Sequence, residues 1–255
     1  MNPALVETAH RPYPMQDGPW IMSQAWHDLL FAHWPVEPEV VQATLPAGLE
    51  VDTFDGQAWI GVVPFRMSGV RLRGTPAMPG LSAFPELNVR TYVRAGGRSG
   101  VWFYSLDAAN RVAVRVARAW FRLPYFDATM SCESESGSSD PGIRYTSRRT
   151  HRGAPAGELR GRYGPAGPEE RARGGTLEYF LTERYALFAP DGNGGLRRGE
   201  VHHGPWPLQH AEVELELESV SAAAGFELSG PPVQAHFARR VDVRCWTPEP
   251  VGEPS

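Results

Sequence analysis

From Glu86 to Val93 polar and apolar residues alternate without a break. Leu87, Val89, Thr91 and Val93 fall on one side of an extended chain, and Glu86, Asn88, Arg90 and Tyr92 on the other. A period of two sustained this long excludes a helix over 84–94. Ala95-Gly96-Gly97-Arg98 then supplies the turn that sends the chain back through 100–106 as a hairpin partner. The same logic recurs at Asp55-Gly56, between 49–54 and 57–67, and in the alternation of 210–218, where Val213, Leu215 and Leu217 oppose Glu212, Glu214, Glu216 and Glu218. The chain is therefore expected to be built on antiparallel sheet.

Helices are few. Residues 36–45 predict a short one, with Pro38 in its first turn and Pro46 after it. Asp107 is read as the N-cap of a longer helix carrying Val112, Ala113, Val116, Ala117, Trp120 and Phe121, ended by Leu123-Pro124. Residues 24–34 fit a helix or a strand buried on both faces, and 177–187 mix both periods. Residues 125–133 and 142–150 read as a strand pair, joined by an exposed turn or loop over 134–142. The Gly-, Pro- and Arg-rich stretch 153–175 predicts a long excursion or poor order over part of its length. Residues 237–246 supply a last strand, and both tails are expected to fray. No repeat and no linker divides the 255 residues, so the expectation is one α+β domain, 1–255, on a curved antiparallel sheet or barrel.

Composition limits the chemistry. All 25 basic residues are Arg, so no side-chain amine exists to form an imine with a carbonyl. A net charge of −4 gives no pull toward nucleic acid or an anionic membrane. The longest apolar run, 59–65, is far short of the roughly 20 residues of a membrane-spanning helix. Residues 1–25 lack the pattern of a secretory signal. Cys132 and Cys245 stand alone, which suits a reducing cytoplasm. The eight His make neither HxxxH nor HxH, so no metal site and no cofactor is expected. There is no GxSxG elbow and no phosphate-cradling loop before a helix. The arginines at 148, 149, 152, 160 and 162 read as a solvated surface.

The polar face Glu86, Asn88, Arg90, Tyr92 is the most informative constellation. A carboxylate, an amide, a guanidinium and a phenol about 7 Å apart along one strand can orient a small polar ligand. They can equally be the wet outer face of a half-buried strand. Tyr125, where the chain re-enters the sheet after the helix, is a hydrogen-bond donor to a ligand or a core aromatic.

Several longer motifs carry a resemblance. Trp26-His-Asp-Leu-Leu-Phe-Ala-His-Trp34, Leu45-Pro-Ala-Gly-Leu-Glu-Val-Asp52, Phe84-Pro-Glu-Leu-Asn-Val-Arg-Thr-Tyr92, Ser105-Leu-Asp107, Leu123-Pro-Tyr125, Leu181-Thr-Glu-Arg-Tyr185 and His203-Gly-Pro-Trp-Pro-Leu208 resemble the YqjF-like family of uncharacterised bacterial proteins, over about 24–247. That family is distantly similar to acetoacetate decarboxylase. The resemblance implies an acetoacetate-decarboxylase-like curved antiparallel sheet, a partly closed β-barrel around a central cavity. In the decarboxylases the turn after the helix reads Pro-Lys-Lys and its first lysine forms the imine; here it reads Pro124-Tyr125-Phe126. Glu86 falls where the decarboxylases keep an active-site glutamate. A Schiff-base decarboxylase is thereby excluded, since a phenol forms no imine.

Three readings remain. The first is a cytoplasmic protein binding a small, carboxylate-bearing molecule in a central pocket, with Arg90 as anchor and Asn88 and Tyr92 beside it. The second is a lysine-independent lyase or hydrolase with Glu86 as general acid/base and Tyr125 and Arg90 as stabilising groups. The third is a scaffold whose pocket has collapsed. Self-association is compatible with each.

Overall fold

The structure, a computed structural model, describes residues 5–135 and 142–252. Its strands are β1 (Met22–Val36), β2 (Glu50–Val51), β3 (Ala58–Leu72), β4 (Phe84–Ala95), β5 (Arg98–Ala108), β6 (Tyr125–Ser134), β7 (Ile143–Arg149), β8 (Glu158–Glu170), β9 (Ala186–Pro190), β10 (Leu196–His202), β11 (Leu208–Glu218), β12 (Gln234–Cys245) and β13 (Glu249–Pro250). The helices are α1 (Pro38–Gln42), α2 (Arg111–Trp120), α3 (Leu177–Thr182) and α4 (Val220–Ala223).

The sheet curves until it closes. Among the described residues, β4-β5-β6-β7-β8-β11-β12-β1-β3 form a ring of nine paired strands. A second circuit branches from it, because β9 pairs in parallel with β5 and β10 pairs with β12, giving β5-β9-β10-β12-β1-β3-β4. The five strands from β12 through β1, β3 and β4 to β5 are common to both. Between the two circuits, β4 is buried on two faces, so its Leu87–Val89 side and its Glu86–Asn88 side both leave solvent. The nine-strand ring is filled: Leu30, Ile60, Val62, Leu87, Val89, Ile143, Tyr145, Leu159, Tyr163 and Phe237 pack into one core. Each such side chain contributes roughly 1.5–3 kcal/mol by leaving water.

Two irregularities aim the shared wall. Asp28 takes a positive φ of 53° and is an extra residue against β3, so Trp26 before it and Leu29 and Phe31 after it face the same side. Arg66 at 2.9 Å and Arg239 at 3.3 Å hold its carboxylate. In β5 the register with β4 slips between Val89↔Ser105 and Arg90↔Phe103, leaving Tyr104 as the bulged residue and setting Val101, Phe103 and Leu106 on one face.

Four expectations need correction. The strands expected on either side of Asp55-Gly56 do not pair as a hairpin: β2 spans only Glu50–Val51 and pairs with β4, and only Phe54 and Gln57 bridge the turn. Asp107 is not a helix cap: β5 runs on to Ala108 because Leu106–Ala108 pair with Tyr125–Asp127, and buried Asp107 meets Arg149 at 2.8 Å. Asn110 caps α2 instead, accepting from the amides of Val112 and Ala113. The stretch 153–175 is largely strand β8. Its glycines let strands approach, since a Cβ on Gly161 would lie 2.5 Å from the Glu214 carbonyl. Its arginines are balanced, Arg160 by Glu216 at 2.6 Å and Arg162 by Glu135 at 2.6 Å. Parts of the tails that lie among the described residues are held. Arg11 is buried on Glu200 at 3.1 Å, and β13 pairs with β10. Of the expected 134–142 turn, 136–141 lie outside the described residues. No helix among the described residues is long and apolar enough to cross a membrane.

Candidate functional site

The second circuit encloses a cavity of about 230 Å³. Most of its wall is apolar: Phe31, Val63, Phe65, Phe103, Leu106 and Leu123 belong to it, and α2 contributes Ala113, Val116 and Ala117. Into this surface β4 projects Glu86, Asn88 and Arg90 from alternate positions, and the start of β6 projects Tyr125. The face expected to be either wet or inward is inward.

Glu86 is 3% exposed and accepts a 2.9 Å hydrogen bond from the Tyr125 hydroxyl. Burial pushes its carboxyl up to about 8; the Tyr125 bond opposes that rise and the Asp107 charge adds to it. At neutral pH the group is a carboxylic acid. Burial, then the Glu86 charge, holds the Tyr125 phenol well above its ordinary range, so Tyr125 acts as a donor only. Asn88 is 5% exposed and its Oδ1 has no hydrogen-bond partner. The Arg90 guanidinium donates through Nη2 to the Leu181 carbonyl at 3.1 Å and lies over the Phe31 ring at 5.3 Å. Its Nε has no partner, and no carboxylate among the described residues pairs with it. Gly61, opposite Arg90 in the ladder, makes room for it, since a Cβ there would meet Arg90 Cγ at 3.4 Å and His33 Nε2 at 3.0 Å.

Tyr92 stands apart from the other three. Its hydroxyl donates to the Leu181 carbonyl at 2.7 Å and accepts from His33 Nε2 at 2.6 Å, so it buttresses Arg90 from outside the cavity wall. Burial, with the Arg90 charge second, keeps His33 well below the ordinary histidine range and neutral.

The opposite wall was not singled out from sequence as functional. Glu183 accepts from the Trp206 backbone amide at 3.1 Å and from the Tyr185 hydroxyl, while the Trp206 indole donates to the Thr182 carbonyl at 2.9 Å. Trp206 is thereby fixed against Trp26, centroids 6.0 Å apart and nearly parallel, and edge-on to Phe31 at 4.9 Å. His203 lines the same wall, pushed down to about 3 by burial and so uncharged. Arg184 is balanced by Asp52 at 2.6 Å, and Glu200 by Arg11 and Arg98. The segments 181–185 and 203–208, far apart in sequence, thus line one space, and 45–52 reaches it only through the Asp52–Arg184 pair. Only the length of those motifs signalled it.

Comparison with known proteins agrees with this architecture. The DUF2071 family model, described as an uncharacterized conserved protein (COG2071), matches residues 23–242. The uncharacterized protein YqjF of Bacillus subtilis (strain 168) is 43% identical over 230 residues, 90% of this chain and 92% of that one. Among solved structures, an acetoacetate decarboxylase-like enzyme from Sphingomonas wittichii RW1 superposes with a TM-score of 0.61 at 17% identity, covering 93% of this chain and 95% of the other. Acetoacetate decarboxylase from Legionella pneumophila gives 0.61 at 13% identity, over 94% and 92%. The enduracididine biosynthesis enzyme MppR, complexed with pyruvate, gives 0.59 at 13% identity, over 95% and 94%. At these identities the likeness is one of fold.

Proposed function

The chain belongs to the DUF2071 family of YqjF-like proteins, with an acetoacetate-decarboxylase-like fold, and from that premise we propose that it binds a small carboxylate-bearing molecule in the cavity beside β4. One observation carries the reading: Arg90 lines an apolar cavity with no anionic partner among the described residues, and its planar guanidinium suits a carboxylate contact. MppR, which shares the fold, is itself complexed with a small carboxylate, pyruvate. Neutral Glu86 and Tyr125 fit hydrogen bonding to a second ligand oxygen. The absence of lysine excludes a side-chain imine with the ligand. Free Cys132 and Cys245 accord with a reducing, cytoplasmic setting.

Trp26 and Trp206 in the wall report on occupancy. Fluorescence titration with an aliphatic carboxylate and its neutral amide should show the carboxylate binding roughly 10–100-fold tighter, the worth of charged hydrogen bonds, and Arg90→Gln should erase the difference. Equal affinity for acid and amide would refute the reading.

A second reading follows from Glu86. A carboxyl group raised to about 8 inside a ligand-sized cavity is matched to general acid/base work near neutrality, with Tyr125 as its hydrogen-bond donor. Activity dependent on Glu86 and lost in Glu86→Gln would establish it.

A further inference from the structure

The spacing of the polar groups along β4 constrains the ligand further. Glu86 and Arg90 are four residues apart on one face, about 14 Å along the strand. Arg90 leans away from Glu86, because its Nη2 reaches Leu181 O at 3.1 Å and Tyr92 Oη at 3.3 Å. Asn88 stands between them with Oδ1 unpartnered, and Trp26 Nε1 in the same cavity is also unpartnered. The lining beside this row is hydrocarbon: Phe31, Phe65, Phe103 and Leu106. A short acid held at Arg90 leaves the Glu86–Tyr125 pair without a ligand oxygen.

We infer that the ligand is an elongated, bifunctional acid, with its carboxylate on Arg90 and a neutral keto or hydroxyl oxygen at the far end on Glu86. With the two side chains rooted about 14 Å apart on one face and Arg90 leaning outward, a ligand that touches both carries its oxygens at the ends of a chain of at least about six to eight carbons. The cavity, about 230 Å³, has room for such a chain. As a neutral acid, Glu86 donates its proton to the far oxygen while its other oxygen accepts from Tyr125. Asn88 Oδ1 meets a donor on the chain between.

This inference rests on the carboxylate reading above, and its test separates the two. Octanoate, 7-oxooctanoate and 4-oxopentanoate are titrated into the full chain by calorimetry. The expected result is 7-oxooctanoate binding at least about tenfold tighter than either of the others. Glu86→Leu should reduce it to the level of octanoate, and Glu86→Gln, which keeps a donor, should retain the advantage. Equal binding of the two eight-carbon acids, or preference for 4-oxopentanoate, overturns the two-ended ligand while leaving the Arg90 carboxylate site standing. Failure of all three to bind overturns both.

Discussion

Glu86 is a carboxyl group surrounded by hydrocarbon with one hydroxyl donor, and its charge state reports directly on the cavity. An unfolded glutamate titrates near 4.5 and the folded one near 8. Between those values the folded chain holds a proton the unfolded chain has released, so this group's contribution to stability falls as pH rises through that window. Glu86→Gln should therefore leave the melting temperature unchanged below pH 4.5 and raise stability above about pH 8, by an amount on the order of a few kcal/mol. Loss of stability at high pH would contradict the burial of a neutral acid. Tyr125→Phe removes the donor that favours the charged carboxylate, so NMR titration of the Glu86 carboxyl carbon should find it moved further up; no movement would place the hydroxyl elsewhere. Alternation alone put Glu86, Asn88 and Arg90 on one face, and they do share the cavity. It also put Tyr92 there, but alternation fixes a side and not a depth. One step beyond Arg90 the wall has ended, and His33 and Leu181 occupy the Tyr92 hydroxyl.

Elements became illegible where the backbone breaks its own period. Residues 24–34 fit a helix as well as a doubly buried strand because the Asp28 bulge reverses the alternation midway, with core on both sides of the strand. The end of β5 was read as a helix start because Asp is a common cap. Its true role depends on Arg149, more than forty residues away. Strand β8 was hidden by glycines whose value lies in strand contact and by arginines whose partners are Glu135 and Glu216. Gly161→Ala tests that account, since its Cβ would press on the Glu214 backbone. Denaturant unfolding should show a loss of about 1–3 kcal/mol, and a neutral result would mean β8 does not pack against β11 as described.

At the scale of the molecule, the hairpins, the helix before Pro124 and the absence of a linker made a curved closing sheet legible. Two rings sharing one wall were not, because the β5–β9 and β10–β12 pairings join segments that no local pattern connects. That division gives one ring to packing and the other to a cavity, and it permits the cavity to persist while an imine-forming amine is missing. Borohydride reduction in the presence of a 2-oxo acid should accordingly leave every side chain unmodified by mass spectrometry, with at most the α-amino terminus labelled. The most direct measurement is a crystal structure of the full chain soaked with an aliphatic carboxylate. The account predicts the carboxylate oxygens within about 3 Å of Arg90 guanidinium nitrogens, with no imine to the protein. A carboxylate bound elsewhere in the cavity, with Arg90 turned away from it, would contradict the account.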